Sequence, residues 1–255
     1  MFYEFKSLAF IALHVQYGWN PESEDIINFE SQIKLKSGAG PRHMVFHPTM
    51  KVAYVSNELS SSITVLAIDD EEPHKLKCRM KVIQDIDTDQ DMAVDEDIYK
   101  RNYVAEIGMS HDGKFIYCSN RGYDTIAVFK ILDDDGGKLE NVTFVPTFGK
   151  TPRHFSITPD NRYLVGANQD SNNLVVFKRD LEKGTLDLVQ KYDASTFGEG
   201  VDFAAPNFVL FAPKEVIQEK VSSMKKEGTT VMGNAMIWML MGLVCAIFFG
   251  ICIAM

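Results

Sequence analysis

The sequence predicts an all-β fold built from repeated four-stranded units and ending in a single transmembrane helix. Three observations predict it. A pattern of about 50 residues recurs, in which two apolar strands meet at a Pro/Asp/Gly/Asn turn and the second strand ends in Asn. Each copy is followed by a strand of period two. Residues 231–255 carry no charged side chain.

Composition sets the outer bounds. The chain has 255 residues, 45% hydrophobic and 24% charged, which suits a packed core in one large domain or two small ones. A net charge of -9 argues against nucleic acid as a partner, because phosphate binding needs a basic face. Cys78, Cys118, Cys245 and Cys252 show neither metal-ligand spacing nor a dense disulfide framework. That fits a reducing compartment, and neither a metal nor a cofactor is predicted.

Taken in order, residues 1–29 match the repeat poorly. The short apolar run Leu8 to Leu13 reads as a strand of the body rather than a signal peptide. The repeats occupy residues 30–213. The first copy runs Pro41-Arg42-His43-Met44-Val45-Phe46-His47-Pro48 and on to Asn57. The second runs from Val104 through Glu106, His111-Asp112-Gly113-Lys114 and Tyr117 to Asn120. The third runs from Pro152-Arg153-His154 through Thr158-Pro159-Asp160-Asn161 to Asn168.

The period-two strands are Ser62-Ile63-Thr64-Val65, Thr125-Ile126-Ala127-Val128-Phe129 and Asn173-Leu174-Val175-Val176-Phe177. Gly136-Gly137-Lys138-Leu139 and Gly184-Thr185-Leu186 then open a fourth strand. Four short antiparallel strands per unit are the signature of a β-propeller blade. The predicted architecture is therefore a partial β-propeller of about three full blades. A further start at Ala205-Pro206-Asn207-Phe208-Val209-Leu210-Phe211 stops after one strand. It reads as a closing strand for a blade begun at the N-terminus. An open partial ring exposes strand edges, and self-association would cover them.

Between the first two copies lies an acidic stretch. Asp85, Asp87, Asp89 and Asp91 alternate, and Glu96 stands at the twelfth place from Asp85. That approaches a calcium loop, but Gln90 occupies the place that needs Gly, so a solvated inter-blade loop is expected. Residues 214–230 read as a linker. The run 231–255 reaches about 35 Å as a helix, enough for a hydrocarbon core of about 30 Å. Lys220, Lys225 and Lys226 precede it, which favours a cytosolic body. A single-pass tail anchor is expected, with the endoplasmic reticulum ahead of the mitochondrial outer membrane.

Several motifs together resemble the lactonase family of seven-bladed propellers, which includes 6-phosphogluconolactonases and carboxymuconate-cyclase-like proteins. They are Gly38-Ala39-Gly40-Pro41-Arg42-His43-Met44 with Phe46-His47-Pro48, and Ala105-Glu106-Ile107 with Ser110-His111-Asp112-Gly113-Lys114. Ser119-Asn120-Arg121-Gly122, Thr151-Pro152-Arg153-His154 and Ala167-Asn168-Gln169 complete the set. The resemblance covers about residues 30 to 212. It implies a cofactor-free carboxylic ester hydrolase acting on a sugar lactone such as 6-phosphogluconolactone, in carbohydrate metabolism of the pentose phosphate type. The alternative is a non-catalytic, membrane-held propeller module or an inactive truncated member. The family has seven blades, so the chain reads as N-terminally truncated, and Gly108 stands where the family often carries His.

In a propeller the innermost strand of each blade lines a central channel. Superposing the copies puts Arg42, Ala105, Arg153 and Asn207 in one ring and His43, Glu106, His154 and Phe208 in the next. Ionisable groups on otherwise apolar strands are costly unless solvated or paired. Lactone hydrolysis needs an activated water, stabilisation of the carbonyl oxygen and an anchor for an anionic substrate. Glu106 is the candidate general base. His43 and His154 are candidates to donate hydrogen bonds or shuttle the proton. Arg42 and Arg153 are candidates to bind phosphate or carboxylate and the oxyanion. The competing reading has Arg and Glu pairing between blades to hold the channel. Asn57, Asn120 and Asn168 are expected to satisfy turn backbone, and Arg121 to be solvated.

Overall fold

The computed structural model describes residues 10–12, 15–19, 27–69, 79–89, 102–193, 196, 205–212, 245–247 and 250–254. Three antiparallel four-stranded sheets dominate them. The first holds β4 (Pro41–Phe46), β5 (Val52–Asn57), β6 (Ser62–Asp69) and β7 (Arg79–Asp87). The second holds β8 (Tyr103–Met109), β9 (Phe115–Arg121), β10 (Thr125–Leu132) and β11 (Lys138–Pro146). The third holds β12 (Pro152–Ile157), β13 (Tyr163–Asn168), β14 (Asn173–Arg179) and β15 (Leu186–Asp193). Within each sheet, strands consecutive in sequence are hydrogen-bonded neighbours. The three sheets are the three propeller blades that the repeats predict. β1 (Phe10–Ala12), β2 (Val15–Trp19) and β3 (Ile27–Gln32) precede them as a three-stranded sheet.

Period-two patterning decides how the blades stack. Along β9, Phe115 and Tyr117 pack toward the third blade, while Ile116 and Cys118 pack toward the first. β10 alternates in the same way, with Ile126 and Val128 against Ala127 and Phe129. Both faces of the middle blade are thus buried, which is why its central strands are apolar throughout.

Polar contacts between blades repeat as the sequence does. The Tyr54 hydroxyl donates to the Gly137 carbonyl of the next blade at 2.8 Å, and the Tyr117 hydroxyl donates to Gly184 at 2.9 Å. Both glycines have positive φ, and a Cβ on Gly137 would stand 2.9 Å from Val52. One on Gly184 would overlap the Phe115 ring. A second device joins the repeat Asn of the second and third blades to the residue just after the outer strand of the preceding blade. Asn120 Nδ2 donates to the Thr88 carbonyl at 2.6 Å, and Asn168 Nδ2 to the Thr147 carbonyl at 2.9 Å. Those threonines are themselves held by the turn between the second and third strands of their own blade. Thr88 Oγ1 donates to the Ser61 carbonyl and Thr147 Oγ1 to the Asp124 carbonyl, each at 2.9 Å. Asn120 and Asn168 therefore satisfy backbone groups, as expected, though across blades, whereas Asn57 Nδ2 donates to Ser62 Oγ and Thr64 Oγ1 within its own blade.

Four expectations meet a more specific outcome. The N-terminal apolar run does contribute a strand, β1. The alternating acids are not all loop: Asp85 and Asp87 lie in β7, and Asp85 accepts the Thr64 hydroxyl at 2.5 Å. Their alternation is the two-residue period of a strand. Asp91 and Glu96 lie outside the described residues. The last repeat strand, β16 (Val209–Ala212), packs on β12 and β13 but pairs with β18 (Gly250–Ala254), not with the N-terminal sheet. From the run predicted to be one helix, residues 245–247 and 250–254 form strands β17 (Cys245–Ile247) and β18. An apolar run without periodicity does not by itself tell helix from buried strand. Residues 231–244 lie outside the described residues. Among the described residues, no helix is long and apolar enough to cross a membrane.

The Tyr54 contact yields a stability prediction. Tyr54 is fully buried, so Tyr54→Phe leaves the Gly137 carbonyl without its donor while keeping the ring. Urea unfolding of that variant is expected to show a loss of about 1–3 kcal/mol. An unchanged midpoint would mean that the bond does not help hold the first two blades together.

Candidate functional site

The site forms where the innermost strands meet. β8 packs against β4 on one side and β12 on the other. Each inner strand breaks its ladder at the same place: between Pro41 and His43, between Val104 and Ile107, and between Pro152 and His154. A bulge frees residues from regular pairing and re-aims their side chains. Here it frees Arg42, Ala105 with Glu106, and Arg153. Hydroxyls on the adjacent strand hold the irregular backbone: the His43 N–H donates to Ser56 Oγ at 3.2 Å and the Glu106 N–H to Ser119 Oγ at 3.0 Å.

The Glu106 carboxylate collects donors from three directions. Oε2 lies 3.1 Å from His43 Nδ1 and 3.2 Å from His154 Nε2. Oε1 accepts the Ile107 N–H at 3.1 Å. The tautomers follow from the neighbours. The Val209 N–H donates to His154 Nδ1 at 3.2 Å, so that nitrogen is unprotonated and Nε2–H faces Glu106. The Phe208 ring packs against His154 with centroids 4.1 Å apart and planes tilted by 43°. Burial holds the His154 imidazole below the usual histidine range; Glu106 opposes this, and the His43 and Arg42 charges reinforce it.

His43 differs. Its Nδ1–H donates to Glu106, and its side chain is 41% exposed, against 13% for His154. Among the described residues Nε2 has no protein partner. An oriented imidazole with its outer lone pair free is suited to take a proton from water. Glu106 is less suited to that task, because its oxygens already face three donors. The structure thus brings the three predicted residues Glu106, His43 and His154 together, with Glu106 between the two imidazoles and His43 the more exposed of them.

A ring of guanidinium groups adjoins this centre. Arg42 Nη1 pairs with Glu58 Oε2 at 3.2 Å, and Arg121 Nη2 pairs with Glu58 Oε1. Arg121 also donates to the Val104 carbonyl at 3.4 Å. Arg153 Nη1 donates to Gln169 Oε1 at 3.2 Å. Burial works to raise Glu58, but the hydrogen bond from Arg121 and the charges of Arg42 and Arg121 win, and Glu58 sits below the usual carboxylate range. The expectation that Arg121 is solvated is corrected: it bridges to the first blade through Glu58. Glu58 is the residue that sequence reasoning missed. The available signal was positional, since Glu58, Arg121 and Gln169 each follow the repeat Asn.

Two other positions are settled by packing. A Cβ on Gly108 would meet the Phe155 ring at 2.8 Å, so Phe155 fills the space a larger residue would need. Cys118 is fully buried, and burial, reinforced by the Glu106 charge, pushes its thiol well up. Among the described residues no group of three or more His, Cys, Asp or Glu is placed to hold a metal ion.

A family model described as a lactonase with a seven-bladed β-propeller matches residues 15–203. A protein of Lactococcus lactis subsp. cremoris is 37% identical over 190 residues, covering 74% of this chain and 50% of its own length. A 6-phosphogluconolactonase of Formosa agariphila is 40% identical over 156 residues, covering 60% of this chain and 40% of its own length. Among solved structures, the periplasmic gluconolactonase of Pseudomonas aeruginosa is 27% identical with a TM-score of 0.60. That match covers 71% of this chain and 48% of the other. The chain spans about half the length of the curated relatives it matches.

The buried His154 yields a pH prediction. Its folded state takes up a proton at lower pH than an unfolded chain does, so just below the ordinary value of 6.5 the unfolded state binds more protons. The stability it contributes is full above that value and is lost as pH falls toward the folded one. Between about pH 7.5 and about pH 5.5 the melting temperature of the parent is expected to fall more steeply than that of His154→Gln. Parallel curves for the two proteins would contradict the assignment.

Proposed function

We propose that this chain, which belongs to the lactonase family of seven-bladed β-propellers, hydrolyses a sugar lactone at the centre formed by His43, Glu106 and His154. The observation that carries the reading is the half-exposed His43, aligned by a carboxylate and open at Nε2. Relatives named 6-phosphogluconolactonase and gluconolactonase support the substrate class.

In this reading His43 Nε2 takes a proton from water as the water oxygen attacks the lactone carbonyl carbon. The oxygen that becomes negative is met by a guanidinium, with Arg42 and Arg153 the nearest candidates by position on the bulges. Collapse of the tetrahedral species breaks the ring C–O bond. The proton held on His43 passes to the departing ring oxygen, which leaves a hydroxy acid and restores the neutral imidazole. Glu106 stabilises the imidazolium between these steps, and the buried His154 donor holds Glu106 in place. A phosphorylated aldonolactone of the pentose phosphate type is the finer form of the proposal, supported by the arginines.

The uncharged run 231–255 supports membrane attachment of a single-pass, tail-anchored kind, which requires residues 245–254 to leave their pairing with β16, and with it the alternative of a non-catalytic module held at a membrane. Exposed Leu188, Val189 and Leu210 support self-association through the third blade and β16. Alkaline carbonate extraction of the full chain tests the anchor: retention in the membrane pellet supports it, and complete release contradicts it.

His43→Gln and Glu106→Gln are each expected to lower kcat for lactone hydrolysis by about 10²–10⁴-fold, measured by pH-stat on freshly prepared lactone. Activity equal to the parent in His43→Gln would remove that residue as the base. A parent without activity would favour the non-catalytic module.

A further inference from the structure

One position of the inner ring takes no part in the proton chemistry. His43, Glu106 and His154 stand at equivalent places on β4, β8 and β12, and Phe208 holds the same place just before β16. The first three are polar and tied together. The fourth is a bare aromatic ring, and hydrogen bonds fix the chain on both sides of it. The Val209 N–H donates to His154 Nδ1 at 3.2 Å, and the Val209 carbonyl accepts from Ser156 Oγ at 2.7 Å. The Ala205 N–H donates to Asn172 Oδ1 at 2.6 Å. Phe208 packs against the His154 imidazole, yet it is 41% exposed. Part of its ring is covered by the centre, and the rest is open beside it.

Position round the channel gives that open surface a use. β8 packs on β4, β12 on β8 and β16 on β12. On the curvature of a seven-bladed ring, three such steps separate Phe208 from His43, which is nearly half a turn. An ester carbonyl is planar, and water attacks it from above or below that plane. A lactone attacked from the His43 side therefore turns its other face toward Phe208. A face of carbon-bound hydrogens gains by covering an aromatic ring, because both surfaces leave water. Binding sites of this kind pair such an apolar wall with a few placed polar groups.

We propose that Phe208 is a substrate-binding residue: its ring stacks on the C–H face of the lactone opposite to the face that water attacks. The stacking rests on the lactone-hydrolysing reading and adds how the ring lies in that site. It also gives the site a preference for the closed ring over the open-chain acid, which offers no flat face to cover Phe208.

The probes are D-glucono-δ-lactam, a ring amide that resists hydrolysis, and gluconate, the open-chain acid. Proton spectra of the lactam with the full chain are expected to show its ring C–H protons shifted upfield, as protons over an aromatic face are. Phe208→Leu keeps an apolar side chain without the aromatic face and is expected to abolish that shift. It is also expected to lower the preference for lactam over gluconate, read as the ratio of their dissociation constants by calorimetry, about three- to tenfold. Phe208→Tyr keeps the aromatic face and is expected to hold the ratio within about twofold. A parent that does not bind the lactam or does not shift its protons would overturn the stacking. So would a Phe208→Leu protein that weakens both probes equally, which is the mark of a merely structural role. Hydrolysis of glucono-δ-lactone, measured in parallel, separates the two readings. Hydrolysis with a KM unchanged in Phe208→Leu overturns the stacking alone. Lactam binding with the expected shifts, in a chain that does not hydrolyse the lactone, overturns the catalytic reading alone.

Discussion

The site depends on one carboxylate. A glutamate on the inner strand of a packed propeller is costly to bury unless its lone pairs are met. Glu106 meets them with an imidazole from the first blade, an imidazole from the third and a backbone N–H of its own strand. Each donor comes from a different part of the chain, so this centre exists only where three blades dock in register. The same bonds fix the imidazoles. His154 is turned by the Val209 N–H behind it, and His43 is left with one nitrogen toward Glu106 and the other toward solvent.

Docking in register is the task of the repeated seam. Apolar alternation on β9 and β10 lets each face of the middle blade fill the space offered by its neighbour. The Tyr-to-Gly and Asn-to-Thr bonds then convert a slippery apolar contact into a defined one, because a hydrogen bond is lost when blades slide. Individually such bonds contribute about 1 kcal/mol, but leaving a buried partner unmet costs more, so they act chiefly by penalising wrong registers. The bulges on β4, β8 and β12 depend on that alignment, since a released side chain meets its partner only when the neighbouring blade sits at the right height.

Much of this was legible in the sequence for a specific reason. Repeats align positions that the fold makes equivalent, so the superposition of His43, Glu106, His154 and Phe208 in one ring anticipated their contact before any coordinates. The same superposition contained Glu58, Arg121 and Gln169, yet their meaning was hidden. A charge at a strand end or turn normally faces water, and only the packing of one blade beside the next brings Arg121 to Glu58. The proposed division of labour between Glu106 and His43 was also beyond the sequence, because it turns on which ring nitrogen of His43 faces Glu106 and which faces solvent. The acids of β7 misled for the opposite reason: a two-residue period fits both a cation loop and a strand, and nothing local separates them. The run 231–255 has the same ambiguity between a helix and buried strands.

The protonation pattern of the histidine rings is the most direct test of the arrangement. Long-range proton–nitrogen correlation spectra of the ¹⁵N-histidine-labelled chain, recorded above about pH 7, report which ring nitrogen carries the proton. His43 is expected to hold its proton on Nδ1, the less usual form of a neutral imidazole, and His154 to hold its proton on Nε2. Loss of the Nδ1–H form of His43 in Glu106→Gln would tie it to the carboxylate. A His43 protonated on Nε2 in the parent chain would contradict the account, because the nitrogen assigned to water would then have no lone pair to offer.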